Sequence, residues 1–319
     1  MNQSGVSLLS QKFSGICISA QDDEEHQAVK ELVHKLAPDI EIIDFQAVLQ
    51  DQSLLAKCDF IFTIGGDGSV AWLVGTFFQA FGSVKNLKPI VPVTRPESVG
   101  YLKQLELEEN KFLKGFRQIL DGYYSVESRT VLTTEINNVK YISVNEIFLY
   151  SAPHLAEYTV LIKHNDEHYH PMTSTMADGA MVTGSLGSTG WALSYNGQII
   201  LNENSLQVVF AGGLHSSANF LLPRKSIKLR LKMKNPVINS ITVDAFQRMR
   251  EEHELPFDGN ASETLKIVYG PRVIIDGKLV AFDIKEIEIN SDIAIPFVFL
   301  HDQTVVEKAR KLTQQPNIK

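Results

Sequence analysis

The stretch FTIGGDGSVAWL, Phe62–Leu73, sets a single acid, Asp67, among Gly65, Gly66 and Gly68. Asp-Gly between apolar segments signals a hairpin. The residues after it are helix-patterned rather than alternating, so the context is strand, glycine turn, helix. That order aims backbone N–H groups and a helix N-terminus at one spot, which suits a phosphate. An anion there makes electrostatic sense if it bonds to a hydroxyl that attacks the phosphate, orienting it and taking its proton. A bound Mg²⁺ would ease the repulsion between Asp67 and the phosphates. A purely structural tight turn accounts for the same residues, and at this point the two readings stand side by side. Neither GxxxxGK[ST] nor GxGxxG occurs in the chain.

Three further stretches carry chemistry-bearing residues in unexpected places. SVNEIFL, Ser143–Leu149, sets Asn145 and Glu146 inside an apolar run that otherwise reads as a strand; a bulge or a strand end is the plain explanation. MADGAMVTGSLGSTGWALSYNG, Met176–Gly197, holds Asp178 in a second Asp-Gly and a glycine/hydroxyl loop that opens a helix, with Ser188 or Thr189 as the expected N-cap. VIIDGKL, Val273–Leu279, reads most simply as a hairpin. His164, His168 and His170 lie close together in HNDEHYH, but Asn165-Asp166 marks a hairpin turn with exposed histidines, and no residue is assigned to a metal.

The elements that must position these residues fall into two patterns. In the first third, strands at Ser14–Ala20, Ile40–Phe45, Asp59–Ile64 and Lys88–Thr94 alternate with helical stripes through Ala28–Leu36, Val70–Phe81 and Phe112–Leu120. Such alternation predicts a parallel sheet with helices on its faces. After Gly122 the pattern becomes mostly alternating strands, with one helical interruption after Gly187, and helical polarity returns in TVVEKARKLTQQ near the end. The expected fold is therefore α/β plus all-β: a Rossmann-like N-terminal domain carrying the GGDG turn, and a β-rich C-terminal domain of two packed sheets. Expected limits are 1–122, with 300–319 returning, and 123–299.

Composition bounds the function. The chain has 319 residues, 44% hydrophobic and 21% charged, with net charge −7. Two globular domains fit that length, and the acidic balance argues against a general nucleic-acid binder. PRKSIKLRLKMK, Pro223–Lys234, is the one dense basic run, and its alternation reads as a half-buried strand. Only two cysteines occur, Cys17 and Cys58, both in apolar segments, which points away from a disulfide framework. The first residues lack a long apolar core or an Arg-rich pattern, and no stretch approaches the ~20 apolar residues of a membrane span. The expected location is cytoplasmic, with no membrane partner.

In their order along the chain, these motifs resemble the NAD kinase family. GGDGS matches its GGDG[TS] box, SVNEIFL its Asn-Glu/Asp box, DGAMVTGSLGSTGWALSYNG its DG…TPTGSTAYSLSAGG segment, FAGGLHSSANFLLP its His-Ser stretch, and VIIDGK its late DGQ turn. The similarity runs from about Ile61 to Asn290. GGDG alone is shared with diacylglycerol, sphingosine and phosphofructo-kinases; the loop ending in Gly-Ser-Thr-Gly-aromatic is far more specific.

The resemblance implies roles for single residues. Asp67 would deprotonate the 2′-hydroxyl of the adenosine ribose of NAD, while Gly65, Gly66, Gly68 and Ser69 would form the pocket for the donor phosphates, from ATP or polyphosphate with Mg²⁺. Asn145 and Glu146 would bind ribose hydroxyls, as bidentate partners suited to vicinal hydroxyls. Asp178 would meet the nicotinamide end or a base amine. Ser188, Thr189, Gly190, Trp191 and Ser194 would line the adenine pocket, with Trp191 in place of the usual tyrosine. His215 matches the family's His-Ser pair. A homodimer or homotetramer is implied as well. The segment PVTRPESVGYLKQ, Pro92–Gln104, departs from the family by lacking its asparagine and carrying Pro-Glu-Ser; it is closer to the divergent mitochondrial-type members, with Tyr101 at the aromatic position near the substrate. GSLG replaces TPTG. A lipid kinase of the diacylglycerol or sphingosine type and a non-catalytic dinucleotide sensor are the alternatives.

Overall fold

The computed structural model describes residues 13–96, 102–151, 155–164, 168–213, 219–224, 227–234 and 271–300, with backbone alone at 164 and 227–234. Close packing divides the chain into two units, Met1–Arg129 with Ala294–Lys319, and Thr130–Ile293.

In the first unit, β1 (Gly15–Ser19), β2 (Glu41–Asp44), β3 (Phe60–Ile64) and β4 (Ile90–Thr94) form a parallel sheet in the order β2-β1-β3-β4. Every residue of β1, β3 and β4 is buried, which is why these runs are apolar throughout rather than alternating. The short β5 (Leu105–Glu106) pairs with the end of β4. Helix α1 (Asp23–Leu36) starts where Asp22 accepts the Glu24 N–H at 2.8 Å, gathers Asp23, Glu24 and Glu25 in its first turn, and stops before Pro38. It buries Val29 and Val33 against the sheet. Helix α4 (Glu109–Leu120) adds Phe112, Phe116 and Ile119 to the same core, with Phe116 edge-on to Phe62 at 5.8 Å. Helix α3 (Asp67–Phe81) follows β3 and ends on Gly82 in the left-handed conformation (φ 68°). Trp72 of α3 meets Phe45 of the short α2 (Phe45–Gln50), so it is a packing residue.

The second unit contains two sheets. One has the order β13-β12-β11-β8-β15-β16, all neighbours antiparallel, from β8 (Glu146–Tyr150), β11 (Gly179–Thr183), β12 (Ser205–Ala211), β13 (Phe220–Pro223), β15 (Arg272–Ile275) and β16 (Lys278–Phe282). The other includes β9 (Ala156–His164), β10 (His170–Ala177) and β14 (Ile227–Lys234), which pair in that neighbourhood with the early part of β17 (Glu286–Leu300). Hairpin β6 (Tyr124–Ile136) and β7 (Val139–Ser143) precedes β8. Leu132, Ile147, Leu149, Tyr158, Val160, Val182, Val208, Val273 and Ile289 share one buried core, so the inner faces of the sheets pack together. Strand period sends Phe148 and Tyr150 to the opposite, outer face of β8, where they join Met181, Val209 and Tyr195. The expected fold class holds: a parallel α/β unit carrying the glycine turn and a β-rich unit of two sheets. No helix among the described residues is long and apolar enough to cross a membrane.

Candidate functional site

The first candidate region is the turn from β3 into α3. Gly65 lies at φ +128°, and a Cβ there would sit 2.1 Å from Ser69 Oγ, so this position requires glycine. Its N–H donates to Val93 O at 2.9 Å, tying the turn to the end of β4. Gly66 is the N-cap and offers no side chain, and Asp67 is the first helical residue. The Asp67 carboxylate is half-buried, and its Oδ1 accepts the Leu102 N–H at 3.2 Å. Gly68 is exposed and Ser69 half-buried. A carboxylate, a hydroxyl and the helix's first amides thus sit together just past the carboxyl end of a parallel strand, where open α/β sheets bind ligands. Arg95, next along from β4, is engaged by Glu25 of α1 through Nε at 2.5 Å and Nη2 at 3.2 Å. Tyr101 and His215 lie outside the described residues.

The second region is one end of the six-stranded sheet, where β8 begins beside the ends of β11 and β15. Asn145-Glu146 is a strand end rather than a bulge: Val144 and Asn145 bend between β7 and β8, and Glu146 pairs with Thr183. Thr183 Oγ1 donates to the Asn145 carbonyl at 2.7 Å. A Cβ on Gly187 would lie 1.9 Å from that same carbonyl oxygen, so the 3₁₀ turn Gly187–Thr189 rests directly on Asn145 backbone. Glu146 is 4% exposed. Burial, reinforced by nearby Asp276, pushes its carboxyl up to about 7 against a hydrogen bond from the Gly277 N–H. Near neutrality it can both donate and accept, which suits paired hydroxyls.

The residue that sequence reasoning missed is Asp276. It accepts from Ser143 Oγ at 2.8 Å and from the N–H groups of Val144 at 3.0 Å, Asn145 at 2.7 Å and Glu146 at 3.3 Å. Its carboxyl end is enclosed although the residue is half-buried overall, and burial raises its pKa against those donors. The signals available were an acid in an Asp-Gly turn, which the hairpin already explains, and the likeness of VIIDGK to the late DGQ turn, to which no site role was attached.

The adenine-pocket candidates surround the loop after β11. Neither Ser188 nor Thr189 is an N-cap, a correction to the sequence reading: Leu186 and Gly190 precede the 3₁₀ turn and the four-residue α5 (Trp191–Ser194), without side-chain caps. Ser188 is buried and its hydroxyl ties the loop, donating to Ser185 O at 2.8 Å and accepting from the Ile200 N–H at 3.0 Å. Thr189 is half-buried, and Gly190 and Ser194 are exposed. Trp191 is 42% exposed and edge-on to Phe148 at 6.1 Å. Asp178 lies at the other end of this sheet, where Gly179 pairs with Tyr150, about 13 Å along β8 from Glu146. Its carbonyl accepts from Ser151 N at 2.8 Å and Tyr158 Oη at 3.0 Å, while its side chain is half-buried. The outer face between the two ends carries Phe148, Tyr150 and Trp191.

Curated proteins that the chain is similar to include several NAD kinases. A curated NAD kinase of Coxiella burnetii is 29% identical over 206 residues, 61% of this chain and 64% of that protein. Those of Fusobacterium nucleatum and Buchnera aphidicola are 27% and 32% identical, over 51% and 45% of this chain. The chain is similar to these NAD kinases over part of its length. The match spans about half to just under two thirds of these NAD kinases' own lengths, 47% to 64%. In fold, an NAD kinase from Archaeoglobus fulgidus solved in complex with ATP superposes with TM-score 0.64 at 17% identity, covering 93% of this chain and 98% of that one. Yeast NADH kinase complexed with NADH gives 0.67 at 17%, covering 97% and 91%. No family model matches the chain.

Proposed function

We propose that the protein is an NAD kinase: it transfers the terminal phosphate of ATP, or of polyphosphate, to the 2′-hydroxyl of the adenosine ribose of NAD and releases NADP. The observation that carries this reading is Asp67, a carboxylate on the first residue of a helix that follows a glycine turn and a parallel strand. A phosphate site alone has no use for that charge; a site that must also activate a hydroxyl does. Asp67 orients the 2′-hydroxyl and takes its proton as the ribose oxygen bonds to phosphorus and the donor's bridging oxygen leaves. The backbone at Gly65, Gly66 and Gly68, with the Ser69 hydroxyl, receives the donor phosphates. The Asp67 and Ser69 oxygens are hard donors of the kind Mg²⁺ accepts, and Mg²⁺ carried by the donor phosphates would supply charge neutralisation there.

Asn145 and Glu146 hold ribose hydroxyls of the dinucleotide, and Asp178 meets its nicotinamide end or a base amine. The loop Ser188–Ser194 receives the adenine against Trp191, with Ser188 shaping the loop from within. A cytoplasmic homodimer or homotetramer belongs to the same proposal. The test is product analysis. Purified protein is incubated with Mg-ATP and, separately, NAD⁺, NADH or diacylglycerol. A 2′-phosphorylated dinucleotide is expected; phosphorylated lipid, or binding of NAD without turnover, overturns the proposal.

A further inference from the structure

We infer that Asp276 is the positioning residue of the dinucleotide subsite: its carboxylate fixes Asn145 and Glu146 in the geometry that meets the ligand. This rests on the NAD kinase reading for the identity of the ligand. Val144 and Asn145 are where the chain leaves β7 in one sheet and enters β8 in the other. At such a step the strand ladder cannot satisfy every amide. Three successive N–H groups, of Val144, Asn145 and Glu146, converge on Asp276, as does the Ser143 hydroxyl. Oδ1 accepts from Ser143, Asn145 and, at the longest distance, Glu146, while Oδ2 accepts from Val144.

The turn grips Glu146 twice more. The Asp276 N–H donates to the Glu146 carbonyl at 3.1 Å, and the Gly277 N–H reaches the Glu146 carboxylate. Asn145 is held from three sides: its N–H by Asp276, its carbonyl by Thr183, and its backbone by the close approach of Gly187. With the backbone committed, the Asn145 amide and the Glu146 carboxyl are what remain to recognise a ligand. Hairpin chemistry does not account for this. Asp276 and Gly277, at φ 49° and 75°, form the two-residue turn that Asn-Gly or Gly-Gly would make equally well. Side chains on such a tip ordinarily point to solvent. This one points inward, and among the described residues no Lys or Arg is paired with it.

The test compares Asp276→Ala and Asp276→Asn in the full chain. Asp276→Ala is expected to raise KM for NAD by about 10- to 100-fold, the loss that several charge-assisted hydrogen bonds represent. Its KM for Mg-ATP stays within about twofold and its kcat within about threefold. Asparagine keeps the turn and most of the acceptors, so Asp276→Asn is expected to recover most of the affinity. Hydrogen exchange at the 144–146 amides should quicken in Asp276→Ala while the core strands keep their protection. Wild-type KM for NAD together with wild-type protection at 144–146 overturns the inference. So does loss of folding in both variants, which would make Asp276 a purely structural residue. If the wild-type chain makes no NADP at all, the NAD kinase reading fails by itself, and exchange at 144–146 still decides whether Asp276 holds that segment.

Discussion

Asp67-Gly68 and Asp276-Gly277 are the same dipeptide, and each directly follows an apolar strand or its turn. In the first unit a 15-residue helix begins at the aspartate. Its carboxylate stays half-buried at the mouth of a glycine turn and accepts the Leu102 N–H. In the second unit a strand resumes after two residues, and the carboxylate turns inward onto three amides and a hydroxyl. The element on the C-terminal side of the dipeptide decides the outcome. A helix start leaves an acid where a ligand can arrive; a hairpin tip next to a sheet crossing consumes the acid in holding the chain. Chemistry and architecture thus use one residue type for opposite ends, and substitution should separate them.

The sharpest break in that contrast is Asp67→Asn. It preserves shape and, on the proposed function, removes the base, so kcat should fall about 10³-fold or more, as for loss of a principal catalytic group. The Kd for NAD, read by titration calorimetry, should stay within a few-fold. If kcat survives, Asp67 is a turn residue like any other and the contrast collapses.

Glycines sharpen the comparison next. Gly187→Ala drives a Cβ to 1.9 Å from the Asn145 carbonyl oxygen, in a loop buried on both sides. A loss of about 2–4 kcal/mol in denaturant unfolding is expected. Gly68 is exposed, with nothing within 4 Å of an added Cβ. Gly68→Ala should leave stability within about 1 kcal/mol and register, if at all, in the KM for the phosphate donor.

Much of this was legible in sequence because particular residues had few alternatives. Ile16–Ile18, Phe60–Ile64 and Ile90–Val93 are too continuously apolar for a half-exposed strand, and they are buried parallel strands. Asp67 could be told from a hairpin acid because Val70, Leu73, Val74 and Phe77 come after it at helical spacing. The helix Phe45–Gln50, the 3₁₀ turn Gln52–Lys57 and the pair Leu105–Glu106 left no trace, being too short for any period to develop. Ser188 looked like a cap because a hydroxyl before a helix usually is one. The helix is four residues long and its N-cap is Gly190, so the hydroxyl crosses the loop instead. Asp276 was hidden for a different reason: its partners, Ser143–Glu146, are some 130 residues away in sequence, and no local pattern encodes a contact over that distance.

The buried carboxyl of Glu146 gives a pH-dependent test of the second region. In the folded chain it is raised from its ordinary 4.5 to about 7, so the folded state holds the proton more firmly than the unfolded state. Stability from this group is therefore present below pH 4.5 and lost as pH rises through 7, by up to about 3 kcal/mol. Glu146→Gln removes the titration. Thermal melts at about pH 5 and about pH 9 should show the variant gaining on wild type by about 2 kcal/mol at the higher pH. Parallel melting curves across that range would show that the carboxyl is solvated after all.

The smallest expected effect separates packing from recognition at Trp191. Its ring meets Phe148 edge-on at 6.1 Å, yet 42% of the residue is exposed on a helix of only four residues. Such a residue contributes little to the core, and Trp191→Ala should change unfolding stability by no more than about 1 kcal/mol. A base stacked on the ring would be worth about 1–3 kcal/mol. The KM for NAD should then rise roughly tenfold, with kcat and the KM for the donor unchanged. Trp191→Tyr retains a stacking face and should restore most of that affinity. A variant that melts early but binds NAD normally would place Trp191 with Trp72, as a ring that packs, and would move the adenine off this loop.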